Sequence, residues 1–158
     1  MADRIVINTG PVIALIRMEA IDVVGQLPYE FLCPPEVQAE LEAGAAKGHP
    51  VIHPSWLQVQ PLQGTLSPLA LPALDVGEAA VIQLAIEQQI PLVCIDEWRG
   101  RRMALAAGLK VIGTLGLLGR AKMLGIIPAV GPFIDRALRN GIRYHPELVR
   151  KVPETVGE

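Results

Sequence analysis

Four short apolar runs set the frame for this chain: Arg4-Ile-Val-Ile-Asn8, Tyr29-Glu-Phe-Leu-Cys33, Leu92-Val-Cys-Ile95 and Lys110-Val-Ile112. None keeps up the strict alternation of a strand with one wet face. They read as short strands, the first of them buried and the second bounded by prolines. The stretches between them carry helical spacing. Val12 to Met18, with Pro11 near a first helical position, and Ala20 to Leu27 read as helices. Pro34-Pro35 opens another, running to about Ala46, with Val37 and Leu41 at i, i+4. Asp75 to Gln89 is the clearest, with Ala79, Ile82, Ala85 and Ile86 at helical spacing. Trp98 to Ala107 ends at Gly108, a residue suited to the left-handed stop of a helix. Thr114 is expected to cap a helix to about Leu124. Ala129 to Asn140 reads as a last long helix with Gly141 behind it. His145 to Glu158 is expected to be partly helical at most. Strands alternating with helices imply right-handed crossovers, an α/β class and a mostly parallel sheet.

Gly48 to Pro72 is the least regular stretch. Pro50, Pro54, Pro61, Pro68 and Pro72 exclude a long helix there. Trp56 to Gln60 alternates and suits an edge strand. At 158 residues, with no internal repeat, the chain is expected to form a single domain over 1–158. Its hydrophobic share of 51% against 19% charged excludes a disordered segment. Aromatics are only 4%, so the core must be aliphatic.

The formal charge of -2 lacks the basic footprint of a protein that holds nucleic acid by charge alone. A nucleic-acid substrate would need a local basic patch or bridging metal ions. Cys33 and Cys94 sit in apolar runs and read as small hydrophobes. His49 and His53 are i, i+4, but Pro50 between them spoils a helical zinc pair. His145 reads as surface. The N-terminus lacks a signal-peptide layout, and Leu109 to Ile127 is broken by Lys110, Arg120 and Lys122. The cytoplasm is the expected location, with no membrane partner.

Ligand sites of open parallel sheets lie beyond the carboxyl ends of the strands. Asn8-Thr9, Asp96-Glu97 and Gly113-Thr114 each follow a strand, and they face one region if those strands are neighbours. Two helices can add acids: Glu40, beside the Val37/Leu41 stripe, and Glu78, in the first turn after Asp75. Each has a plainer explanation. Asp75 with Glu78 matches a capping box, and Asp96 suits a helix cap. Glu40 suits solvated surface, and Asn8 a turn before Gly10-Pro11. Arg99, Arg101 and Arg102 form either a solvated face or a phosphate contact. A cluster of three carboxylates, if formed, requires a cation. Oxygen-only ligands favour Mg²⁺ or Mn²⁺, whose usual work is water activation and phosphoryl-charge stabilisation.

Five segments in order resemble the PIN-domain family. Ile5-Val-Ile-Asn-Thr-Gly-Pro-Val-Ile13 looks like its opening, and Pro35-Glu-Val-Gln-Ala-Glu-Leu41 its second motif. Asp75-Val-Gly-Glu-Ala-Ala79 looks like the third and Val93-Cys-Ile-Asp-Glu97 the fourth. Gly113-Thr-Leu-Gly-Leu-Leu118, with Ala121-Lys122 and Gly125, is similar to PIN-like toxins of toxin–antitoxin pairs, the VapC-type ribonucleases. The resemblance covers roughly residues 4 to 128, leaving 129–158 as a helical C-terminal part.

The resemblance implies a three-layer α/β/α sandwich and a metal-dependent endoribonuclease using Mg²⁺ or Mn²⁺. It places Glu40, Glu78 and Asp96 on the acidic catalytic and metal-binding positions, with Asn8 beside them. Glu97, Thr9 and Thr114 become auxiliary residues, and Arg101 a substrate contact. RNA, an antitoxin protein and a homodimer are the implied partners. Asn8 departs from the pattern, because the family's nucleases usually carry Asp there. Asparagine keeps a carbonyl oxygen but not the charge, which is worth on the order of several kcal/mol beside a divalent ion. The alternative is a degenerate PIN domain that binds RNA or a protein without cleaving.

Overall fold

The computed structural model describes residues 3–46, 53–66 and 75–158. Among these the elements are β1 (Asp3–Ile7), α1 (Thr9–Arg17), α2 (Ile21–Gly25), β2 (Tyr29–Cys33), α3 (Pro35–Ala46) and β3 (Leu57–Val59). They continue with α4 (Val76–Glu87), β4 (Leu92–Cys94), α5 (Trp98–Ala106), β5 (Lys110–Ile112), α6 (Thr114–Met123), α7 (Gly131–Arg139) and α8 (Pro146–Thr155).

The five strands form one sheet in the order β3-β2-β1-β4-β5, and every described pair is parallel. Ile5 pairs with both Phe31 and Leu92, so β1 is central. The chain moves outward from β1 to β2 and β3, then crosses back to β4 and β5. The order therefore reverses between β1 and β4, the point where such sheets open a crevice at their carboxyl edge. Asn8 lies on that edge: its backbone N–H donates to the Cys94 carbonyl at 3.0 Å. The edge strand expected over Trp56 to Gln60 is present as β3. Pro50, Pro68, Pro72 and His49 lie outside the described residues.

The chain divides into two compact units. The first comprises Met1–Pro11 and Pro28–Ile112. It holds the sheet with α3, α4 and α5, where α4 lies against β1, β4, α3 and α5. Ile5, Val6, Ile7, Phe31, Val93 and Cys94 are buried, as continuous apolar runs in a parallel sheet require. The Cys33 and Cys94 thiols are free and buried, and burial pushes Cys33 up to about 12, so both act as apolar side chains.

The second unit comprises Val12–Leu27 and Gly113–Glu158. Here α2 and α8 pack on α6. Asn140 Nδ2 donates to the Arg17 carbonyl at 2.7 Å, tying the end of α7 to the end of α1. The Glu158 carboxylate accepts from the Val130 and Gly131 amides at 2.7 and 3.1 Å and pairs with Lys122 at 3.0 Å. It thereby caps α7, and the bond from Val130 leads the effects that lower its pKa.

Several expectations need correction. The Gly10-Pro11 pair does not delay α1, which begins at Thr9. Proline is tolerated there because first-turn amides have no intrahelical acceptor. Thr114 does not cap α6: Gly113 holds that position and Thr114 is the first helical residue. The tail is helical over Pro146–Thr155 only, within the expectation of partial helicity. Val149, Val152, Pro153 and Val156 are half-buried along one side of α8, and a Cβ at Gly119 would lie 3.6 Å from Val156. Tertiary packing there outweighs the internal Pro153. Ile86, expected in the α4 stripe, is exposed, whereas Ala80, Val81 and Leu84 are buried. The helix is enclosed on more sides than a single stripe describes.

Candidate metal centre

The first turn of α4 carries the centre. Asp75 occupies its N-cap with extended backbone, φ -72° and ψ 168°, and its carboxylate accepts the Glu78 amide at 2.7 Å. That is the capping half of the expected box. The Glu78 side chain turns inward, is only 3% exposed, and shares hydrogen bonds with the carboxyls of Glu97 and Asp75. Asp75, Glu78 and Glu97 offer carboxylate oxygens that all lie within 4.8 Å of one another. Burial first, then those hydrogen bonds and the neighbouring charges, lift Glu78 from an ordinary 4.5 to about 8. At neutral pH, with no cation bound, Glu78 keeps its proton and donates it to a neighbouring acid.

Two glycines make the approach sterically feasible. A Cβ at Gly77 would run into the Glu40 carboxylate, and one at Gly100 would meet Ile95 Cγ2 at 2.9 Å and Glu78 Oε2 at 3.2 Å. The Glu40 carboxylate thus rests on the first turn of α4, and Glu78 reaches the first turn of α5. Thr9, at the start of α1, donates its hydroxyl to Glu40 Oε2 at 2.6 Å. Thr9 thus holds Glu40 and Glu40 rests against Gly77, while Asp75, Glu78 and Glu97 meet one another beside Gly100.

The sequence named Thr9, Glu40, Glu78 and Glu97 among these, and missed three. Asp75 was read only as a cap, which it also is. Gly77 and Gly100 carried no signal, since a glycine inside a helix shows its reason only when the neighbouring side chain is placed. Asp96 is half-buried at the end of β4, one residue before Glu97, and Glu97 rather than Asp96 holds the α5 N-cap. Arg101, assigned to the substrate, donates from Nη1 to the Ile95 carbonyl at 2.8 Å and so pins the turn from β4 into α5. Asp96 and Arg101 act oppositely on the buried Cys94 thiol, Asp96 raising and Arg101 lowering it, after burial itself. Thr114 is fully buried two residues past β5.

Asn8 is 7% exposed, and its Oδ1 has no protein hydrogen-bond partner. A buried acceptor left unpaired carries a penalty of about 1–3 kcal/mol, so it calls for a ligand. The three clustered carboxylates form an all-oxygen donor set. Such a set fits a hard divalent cation rather than zinc.

A family model described as a PIN domain matches residues 4–158. With the parallel sheet and the acidic cluster at its carboxyl edge, the match settles the class: the chain belongs to the PIN-domain family. The match extends past residue 128 and covers the residues of α7 and α8. No curated protein matches the chain significantly. The PIN domain is a nuclease-type fold whose members typically use a divalent metal. No described helix is long and apolar enough to cross a membrane.

Proposed function

We propose that this chain, acting as one domain over 1–158, is an endoribonuclease that hydrolyses RNA phosphodiester bonds with Mg²⁺ or Mn²⁺. The observation that carries the reading is the meeting of Asp75, Glu78 and Glu97 around a buried, proton-retaining Glu78. Acids packed this closely are stable in ionised form only beside a cation. When bound, such an ion activates water and stabilises charge on the phosphoryl group. Glu78 would lose its proton as it becomes a ligand, with Asp96 and Glu40 completing the set directly or through water and Asn8 adding a neutral oxygen. Thr9 fixes the rotamer of Glu40, and Arg101 fixes the backbone that presents Asp96 and Glu97. The test is cleavage of an RNA substrate with Mn²⁺ by wild type, Glu78→Gln and Asp96→Asn. Equal activity in all three, or activity that survives chelation, sinks the reading.

The VapC-type likeness adds a toxin role, an antitoxin partner, a homodimer and a cytoplasmic location to this proposal. Co-purification with the product of a small neighbouring gene, with the mass of the complex in solution, tests the partner and the dimer together.

Asn8 supports a second reading, a PIN domain that binds RNA or a protein without cutting. An amide there gives the cation one charge fewer than the acid the family's nucleases usually carry. Under this reading wild type binds Mn²⁺ poorly in calorimetry, and Asn8→Asp creates the site. Tight Mn²⁺ binding and cleavage by wild type exclude it.

A further inference from the structure

The outward face of α5 is not used by the metal centre, although the helix starts beside Glu97. Trp98 is 69% exposed, and the Arg102 guanidinium carbon lies 5.7 Å from its ring centroid. Arg99, Arg102, Met103 and Ala106 line an open cavity of about 400 Å³. These residues recur at i, i+3, i+4 and i+7, so they form one side of the helix. Two features coincide there: an aromatic ring left largely in water, and two arginines with no acidic side chain among the cavity's lining residues. The chain as a whole carries a charge of -2, so this is a local reversal of sign directly beside the acidic cluster.

We propose that this face of α5 is a stacking platform for single-stranded RNA: a base stacks on Trp98, and Arg99 and Arg102 hold the flanking phosphates. It rests on the nuclease reading for the identity of the strand, and names the track by which that strand reaches the carboxylates. The chemistry favours a single strand. Every unpaired base presents a π-face to an exposed indole, and an arginine already stacked on the ring adds cation–π attraction and a phosphate contact. A duplex hides its base faces and would use the arginines alone. The charge complementarity is with phosphate, since Arg99 and Arg102 lie on the same helix that Glu97 caps. Arg101 donates to the Ile95 carbonyl and is not among the residues that line this cavity.

The experiment is fluorescence anisotropy with a labelled single-stranded RNA octamer and a labelled RNA duplex. It is run in EDTA, so that cleavage plays no part and failure of the nuclease reading is seen separately in the Mn²⁺ assay. Wild type, Trp98→Phe, Trp98→Ala, Arg102→Gln and the Arg99→Gln/Arg102→Gln pair are compared. All of these side chains are exposed, and circular dichroism and solution mass confirm that fold and assembly are kept. The expected result is about tenfold weaker octamer binding for Trp98→Ala, with Trp98→Phe close to wild type. The arginine pair should weaken binding and flatten the salt dependence by about 0.7 in log–log slope for each phosphate that is no longer held. No octamer binding by wild type overturns the proposal. So does equal affinity of wild type and Trp98→Ala, or equal loss for octamer and duplex in that variant. A Trp98→Ala protein that binds RNA normally but changes its solution mass would instead identify the face as a protein interface, and also overturns it.

Discussion

Replacing Glu78 with glutamine removes an acid that burial holds protonated, and the consequence for stability can be worked out. In the folded chain this carboxyl titrates near 8, against an ordinary 4.5. The folded state therefore binds the proton more tightly than the unfolded state. Stability is highest below the unfolded value, declines as pH rises between the two, and levels off above about 8. At about 1.4 kcal/mol per pH unit, the gap sets an upper bound of about 5 kcal/mol. Screening by nearby water reduces this, so a decline of about 2–3 kcal/mol is expected. Glutamine keeps the size of the side chain and a donor for its neighbours but cannot ionise. Glu78→Gln should match wild type near pH 4, below the unfolded value, and exceed it by about 2–3 kcal/mol at pH 8.5. In a chain of this size that is about 5–10 °C in Tm. Melts in EDTA at pH 4.0, 7.0 and 8.5 make the comparison. Mn²⁺ should then reverse the order, because a ligand that binds only the folded wild type stabilises it alone. A wild-type profile flat across this range, or a variant no more stable at pH 8.5, refutes the argument.

Other substitutions probe the supports. Gly100→Ala inserts a methyl group against Ile95 and Glu78. It should lower stability by about 1–2 kcal/mol in urea unfolding despite the better helix propensity of alanine, and weaken Mn²⁺ binding. Thr9→Val keeps the shape and removes the donor to Glu40, for a loss of about 1–2 kcal/mol by the same assay. Gln89 follows α4 with φ at 56°. Glycine there should raise the urea midpoint by the equivalent of about 0.5–1 kcal/mol, with no change in Mn²⁺ binding.

The sheet was legible because its order follows from the apolar runs: Ile5–Ile7, Phe31–Cys33 and Leu92–Cys94 have no polar interruption and are buried or nearly so. Strand-end logic placed Asn8 after β1 and the Asp96-Glu97 pair after β4, where the structure has them. What could not be read was side-chain direction at helix starts. Asp75 and Glu78 satisfy a capping pattern, and sequence alone cannot tell whether the second acid closes the cap or turns into the interior. The inward turn brings Glu78 against Gly100, 22 positions away in the chain, where a Cβ would lie 3.2 Å from its Oε2. The bond from Arg101 to the Ile95 carbonyl was equally hidden, since a basic residue after an acidic motif gives no sign of which backbone carbonyl lies within its reach. The packed side of α8 was hidden because its half-buried stripe depends on the surface of α6, which no local pattern in 146–155 reveals.

Asn8 and the proton on Glu78 are two answers to one electrostatic problem. Asp75, Glu78 and Glu97 lie within 4.8 Å of one another, and without a cation that density of charge is relieved only by binding protons or by having fewer acids. Glu78 takes the first route, by a raised pKa. An amide at position 8 takes the second, on the reading that Asn8 faces the same ion. Each device stabilises the metal-free fold, and each weakens the hold on a cation, because the ion must displace a proton at Glu78 and finds a neutral oxygen at Asn8. Their combined effect is a site whose metal affinity should rise steeply with pH as the Glu78 proton becomes easier to remove. An Asn8→Asp chain would shift the same balance the other way, gaining cation affinity at every pH while losing stability in EDTA. The two quantities should therefore move in opposite directions in that variant, a coupling that a purely structural asparagine would not produce.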